Sequence, residues 1–299
     1  MYALPRNQKL RAVVLMLLSS FSFAAMGALI KLAGNLPTDE KAFFRNLISL
    51  LVASALLIRR RQSPWGQRAN RSFLIARGVF GTIGVIFYFY GIDHLILADS
   101  GMLNKMHPFF VAIFAALFLK ERLSRHQMCS LLIALGGAML IIKPSFDFSQ
   151  SGPAMICFLS AVFAGLAYVF VSYLGDKENS YTIVFYFSLI STLMCFPLAL
   201  RHFVTPGIGQ LALLLGAGGA AAVGQFSLTV AYRLAPAGEV SIYNYSNVIF
   251  SSLLGIVFFA ELPDGLSLAG YLLIIAAGYI IFRFGAVKKP LMKAEAAAH

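Results

Sequence analysis

The chain has 299 residues, of which 59% are hydrophobic and only 12% charged, against roughly a quarter charged in an ordinary soluble domain. That composition excludes a water-soluble globular protein. Its 24 Lys and Arg outnumber its 12 Asp and Glu, giving a formal charge of +12; because the bases collect between long apolar runs, they report membrane topology before they report an anionic partner such as nucleic acid.

A bilayer core about 30 Å thick needs roughly 20 apolar residues in a helix. Runs of this kind lie near residues 12–32, 43–58, 73–91, 101–119, 128–142, 155–174, 181–200, 208–231, 240–260 and 266–284. The expected fold is an all-α integral membrane protein with ten transmembrane helices. The second and fifth runs are short and must borrow flanking residues or let Arg59, Arg60, Arg61 and Lys143 snorkel to the interface. The first follows a basic start, but its length and the lack of a small-x-small site make it a span, not a cleaved leader. Cys129, Cys157 and Cys195 fall inside apolar runs without metal-site or disulfide spacing, and read as core residues.

With the amino terminus inside, 17 of the 24 Lys and Arg fall on the cytoplasmic side, four outside and three within spans. This is the positive-inside bias. It predicts a multi-pass protein of the cytoplasmic (inner) membrane with both termini cytoplasmic, position 66 inside, and the loops near Asp147 and Asp264 outside.

The chain also repeats itself. A shift of 140 residues lays 98–143 over 238–283, pairing Asp99 with Glu239, Asn104 with Asn244, Phe110 with Phe250, Phe118 with Phe258 and Glu121 with Glu261. The same shift brings Ser20 onto Ser160 and Phe23 onto Phe163, and at 142 FFRNLISLL faces FYFSLISTL. Each copy holds five spans, so the second enters the membrane from the opposite side. The expectation is a 5+5 inverted repeat, residues 1–145 and 146–299, with a solute bound near the midplane between the halves.

These features resemble the EamA-type permeases of the drug/metabolite transporter superfamily. The resemblance rests on FFRNLISLL in span 2, ARGVFGTIGVIFYFYGIDHL in span 3, LADSGMLNKMHPFFVAIFAALFLKERLS through span 4 and APAGEVSIYNYSNVIFSSLLGIVFFAELP through span 9. In that family the fourth and ninth spans close on a Glu, the places of Glu121 and Glu261. The usual preceding Gly is replaced here by Lys120 and Ala260. The resemblance implies movement of a small solute, without naming it.

Ionisable groups within a membrane cost roughly 2.5–3.5 kcal/mol each on insertion scales. Lys105 is the deepest, one step after Asn104 and shortly before His107 and Pro108, a proline that loosens the helix and frees carbonyls toward a cavity. It reads as a cavity lysine that draws a carboxylate, or as one that snorkels or pairs with Asp99. Its repeat counterpart is Tyr243-Asn244-Tyr245-Ser246-Asn247, which cannot all face lipid on a helix of 3.6 residues per turn. Tyr243 and Asn247 share a face at i, i+4, with Asn244 about 100° round. These residues offer hydrogen bonds and ring faces to a polar solute, or serve as glue between helices. Arg45 and Arg77 lie about one turn inside their spans, near opposite faces of the membrane; they are interfacial anchors, or gate charges and partners of Glu121, Asp99 or Glu239. The candidate substrate-binding set is thus Asn104, Lys105, His107, Tyr243, Asn244, Tyr245, Asn247, Arg45 and Arg77. Glycines 78, 81 and 84 in span 3 and 216, 218, 219 and 224 in span 8 fit close helix contact better than phosphate binding.

All 12 acidic residues lie in loops or at span ends, so the buried carboxylate relay of many proton-driven carriers is missing. No H-E-x-x-H, G-x-S-x-G or P-loop pattern occurs. The sequence calls for no metal or cofactor; its partners are a small solute and membrane lipids. The expected function is secondary transport of an anionic or zwitterionic metabolite, such as an amino acid or organic acid. The alternative is a membrane transferase using His107 as base.

Overall fold

In lipid the backbone must satisfy its own hydrogen bonds, and a helix does this within one segment. A computed structural model describes residues 6–95, 101, 103–121, 123–142, 151–201, 203–260 and 262–284, which are helical with short connections and contain no strand. Asp99, Lys143, Asp147, Glu261 and the basic tail lie outside the described residues.

In chain order the helices are α1 (Arg6–Leu32), α2 (Thr38–Arg59), α3 (Arg71–His94), α4 (His107–Phe118), α5 (Arg125–Ile142), α6 (Ser151–Leu174), α7 (Ser180–Arg201) and α8 (Ile208–Leu234). The ninth span, α9 (Ala237–Phe259), precedes α10 (Gly265–Phe284). Eight are long and apolar enough to cross a bilayer, and α4 and α5 are the two shorter apolar helices. The second run gains its length by starting at Thr38. Large apolar side chains such as Ile208, Val257 and Leu272 stay exposed while Ser19, Ser20, Ser160, Ser188 and Thr229 are buried. This is the distribution of a bundle whose solvent is lipid.

Packing follows the repeat. Helix α1 lies along α8 as α6 lies along α3, α2 touches α8 as α7 touches α3, and α4 meets α6 as α9 meets α1. The remaining major pairs, α2 with α7 and α5 with α10, join equivalent helices. Each pair has its image after a step of five helices, which is the inverted 5+5 architecture. Two glycines show it at atomic scale. A Cβ on Gly78 would strike Ile190, and one on Gly218 would strike Ile48; the glycines are related by the 140-residue shift and the isoleucines by the 142-residue one. Gly84 approaches the α6 backbone at Ser160 and Ala164, Gly224 approaches Phe23, and Gly137 meets Gly270 where α5 crosses α10. Gly219 has no such neighbour.

The two spans facing each other across the centre are discontinuous. Lys105 and Met106 form a turn before α4, so the break precedes Pro108, which sits in the first helical turn where its missing N–H costs nothing. In α9 a four-residue turn, Ala237–Val240, passes into a 3-10 stretch, Ser241–Tyr245, and then into regular helix from Ser246. The breaks occupy matching places in the repeat, as in carriers that bind solutes with broken helices. Helix α4 ends with Lys120 in the left-handed region, φ 53°, and α9 with Ala260 there, φ 54°. The Glu121 N–H folds back past Lys120 to the Ala115 C=O at 3.2 Å and closes the helix end. The Glu121 carboxylate accepts the N–H groups of Ala237 and Gly238, both at 3.1 Å, tying the end of α4 to the positive start of α9.

Candidate functional site

The breaks bring span 4 and span 9 side chains to the middle of the bundle. The Lys105 ammonium donates to Asn247 Oδ1, and Asn247 Nδ2 donates to the Ser20 carbonyl of α1 at 2.8 Å. Lys105 therefore points inward. Asn104 Nδ2 donates to Ser160 Oγ on α6 at 3.2 Å, so the serines paired by the repeat each receive an asparagine. Asn244 Nδ2 donates to His107 Nε2 at 3.1 Å, and His107 Nδ1 donates to the Asn104 carbonyl at 2.9 Å. Both ring nitrogens of His107 are thereby engaged in a neutral tautomer, leaving neither free as a general base.

Because residues 241–245 form a 3-10 helix, their side chains advance by about 120° per residue rather than 100°. The single face expected for Tyr243 and Asn247 is not formed. Tyr243 Oη reaches the Gly278 carbonyl of α10 at 3.1 Å, Asn244 turns to α4 and Asn247 to α1. Tyr245 is fully buried.

Arg45 and Arg77 enter from helices running in opposite directions, yet both lie within electrostatic range of Tyr168 and of each other. Arginine stems are long, and these reach toward the interior instead of the nearest interface. Arg77 is 1% exposed and Arg45 9%. The Arg77 guanidinium carbon sits 4.2 Å from the Phe187 ring centroid and 5.8 Å from that of Tyr168. Among the described residues no carboxylate lies within ion-pair distance of Arg45, Arg77 or Lys105. Two of the acids expected as partners are placed elsewhere, Glu121 capping α9 and Glu239 pairing with Lys9 at 2.6 Å; Asp99 lies outside the described residues. A desolvated cation–π contact is worth about 2 kcal/mol, short of the roughly 2.5–3.5 kcal/mol insertion cost of each arginine.

Two tyrosines missed in the sequence complete the centre. Tyr168 on α6 stacks on Tyr232 of α8 with centroids 5.6 Å apart, and meets His107 edge-on at 5.5 Å. Their repeat positions are Ala28 and Ile92, so the shift that exposed the other residues was silent for them. The available signal was a phenol in mid-membrane, which needs a polar neighbour.

Comparison with known proteins agrees with this architecture. A model described as the EamA-like transporter family matches residues 10–143 and again 152–283. The chain is 39% identical over 267 residues to the pseudopaline exporter CntI of Pseudomonas aeruginosa, covering 89% of this chain and 93% of that protein. It is 28% identical over 281 residues to human solute carrier family 35 member G1, covering 87% and 76%. It is 26% identical over 271 residues to the S-adenosylmethionine uptake transporter of Rickettsia bellii, covering 89% and 91%. A solved crystal structure superposes with a TM-score of 0.81 over 90% of this chain and 96% of that one, at 16% identity, a likeness of fold alone. With the family model matching both halves of an interlocked helical bundle, the chain belongs to the EamA-like transporter family and is a multi-pass membrane transporter.

Proposed function

We propose that this transporter carries a small anionic or zwitterionic metabolite, such as an amino acid or organic acid, across the cytoplasmic membrane by alternating access of its two halves, residues 1–145 and 146–299. Both termini are cytoplasmic in this reading, which the 17-to-4 distribution of bases supports. The observation that carries the substrate class is the inward-pointing Lys105, held by the neutral Asn247 with no carboxylate near it among the described residues. A solute carboxylate supplies the missing charge. Asn104, His107, Asn244 and Asn247 form the polar lining beside it, Tyr243 and Tyr245 the aromatic wall, and Arg45 and Arg77 the adjoining positive region. Relatives named for pseudopaline export and S-adenosylmethionine uptake support a small-molecule cargo.

Thermal unfolding of the purified protein against panels of amino acids, organic acids, amines and nucleosides tests the reading, since a ligand of the folded state raises its stability. An acidic or zwitterionic compound is expected to protect. Lys105→Gln should then weaken its binding by about 1.5–3 kcal/mol, the range for hydrogen bonds to charged groups, and Asn247→Ala should weaken it less. Unchanged affinity in a well-folded Lys105→Gln protein, with a cysteine at 105 shielded from water-soluble reagents, would make this lysine structural and remove the argument.

A further inference from the structure

We infer that the transported solute bears two separate anionic groups, one bound at Lys105 and Asn247 and the second at the guanidiniums of Arg45 and Arg77, beside Tyr168. The inference rests on the carboxylate reading of Lys105 and extends it from one subsite to two.

The second subsite is marked by unspent hydrogen-bonding capacity. Arg45 Nε and Arg77 Nε and Nη1 are buried with no acceptor among the described residues. The two like charges also lie within electrostatic range of each other, an arrangement that lowers the stability of the empty protein and is relieved when an anion enters. Phe187 and Tyr168 give the Arg77 guanidinium ring faces, but a ring face accepts no conventional hydrogen bond and leaves in-plane donors unpaired, the edge that matches a carboxylate.

The spacing favours two anionic groups over one. The Arg77 guanidinium carbon lies 5.8 Å and the His107 ring 5.5 Å from the centroid of the Tyr168 ring, and Lys105 lies within electrostatic range of His107. A carboxylate held at Lys105 therefore leaves the buried donors of Arg45 and Arg77 without an acceptor. A short chain with a carboxylate at each end neutralises both sites. Tyr168 and its stacked neighbour Tyr232 thus belong to the wall that sets the distance between the charged ends.

Thermal unfolding of the full chain in detergent tests this, alone and with straight-chain C4 to C7 dicarboxylates or the monocarboxylates of equal length. Arg77→Met should raise the melting temperature of the ligand-free protein, because it removes an uncompensated charge. Dicarboxylates should bind the unaltered protein about ten- to a hundredfold more tightly than monocarboxylates. That preference should vanish in Arg77→Met, and Arg77→Lys should keep part of it. A lower ligand-free melting temperature in Arg77→Met would assign the arginine to structure and overturn the inference. Equal binding of both classes, still weakened by Lys105→Gln, would overturn the second subsite and leave the first standing. Protection by neither class would overturn both.

Discussion

Helices α4 and α9 end on non-glycine residues in the left-handed region, Lys120 at φ 53° and Ala260 at φ 54°. In that region the Cβ crowds the following carbonyl, at a cost of roughly 1–2 kcal/mol per residue. Glycine removes the clash but gives the unfolded chain more freedom, which returns roughly 0.5–1 kcal/mol. Both side chains are exposed, so no buried contact is lost. Lys120→Gly and Ala260→Gly are therefore each expected to stabilise the protein by about 0.5–1 kcal/mol. The two ends lie on opposite sides of the bundle and share no partner, so the double variant should gain about 1–2 kcal/mol. The assay is unfolding of the purified protein in mixed micelles with rising SDS, followed by far-UV circular dichroism, with Lys120→Ala as the control that should stay level. Glycine variants no more stable than the parent, with Lys120→Ala level, would refute the backbone argument.

Other expectations follow from the packing. Gly218→Ala should cost about 1–3 kcal/mol, the range for overpacking, because its Cβ meets the stiff branch of Ile48, with Cγ1 and Cγ2 at 2.8 Å; Gly78→Ala should cost less, because there the nearest atom is the movable Cδ1 of Ile190. The same SDS titration ranks the two, and the reverse order would be a failure. For Lys9 and Glu239, whose side chains are 16% and 3% exposed, a cycle of Lys9→Met, Glu239→Gln and the double variant should show a coupling of about 0.5–3 kcal/mol; additive losses would mean the ion pair contributes nothing. Cysteines placed on a cysteine-free background at 264 and 66 should react with an impermeant maleimide from outside only at 264, and the opposite pattern would reverse the proposed orientation.

Much of the architecture was legible because a repeat carries geometry with it. The shifts that align FFRNLISLL with FYFSLISTL and Gly78 with Gly218 also state which isoleucine each glycine meets, once helices pack across the halves. The broken spans were harder. Pro108 is the breaker visible in the sequence, whereas the chain departs from helix just before it, at Lys105 and Met106, and α9 loosens at 241–245 without any proline. No local propensity marks that 3-10 stretch; tertiary hydrogen bonds to α1, α4 and α10 hold it. Depth along their own helices separates Arg45 from Arg77, while a side chain's reach and the sideways neighbours of α2 and α3 decide where a guanidinium ends. Tyr168 and Tyr232 had no polar image in the other half to single them out.

The pattern of helix contacts bears on how such a chain comes to exist. Among the described residues the large interfaces join helices of different halves, α1 to α8, α3 to α6, α2 to α7 and α5 to α10, and neither half builds a core from its own five helices. A ribosome that has delivered only the first half has placed in the bilayer helices whose partners are not yet made. Assembly must therefore wait for the second half to insert with the opposite sense. By the same logic, a half-length forebear would have packed only as an antiparallel pair of copies, inserted both ways round in one membrane, before fusion made the two orientations parts of a single polypeptide.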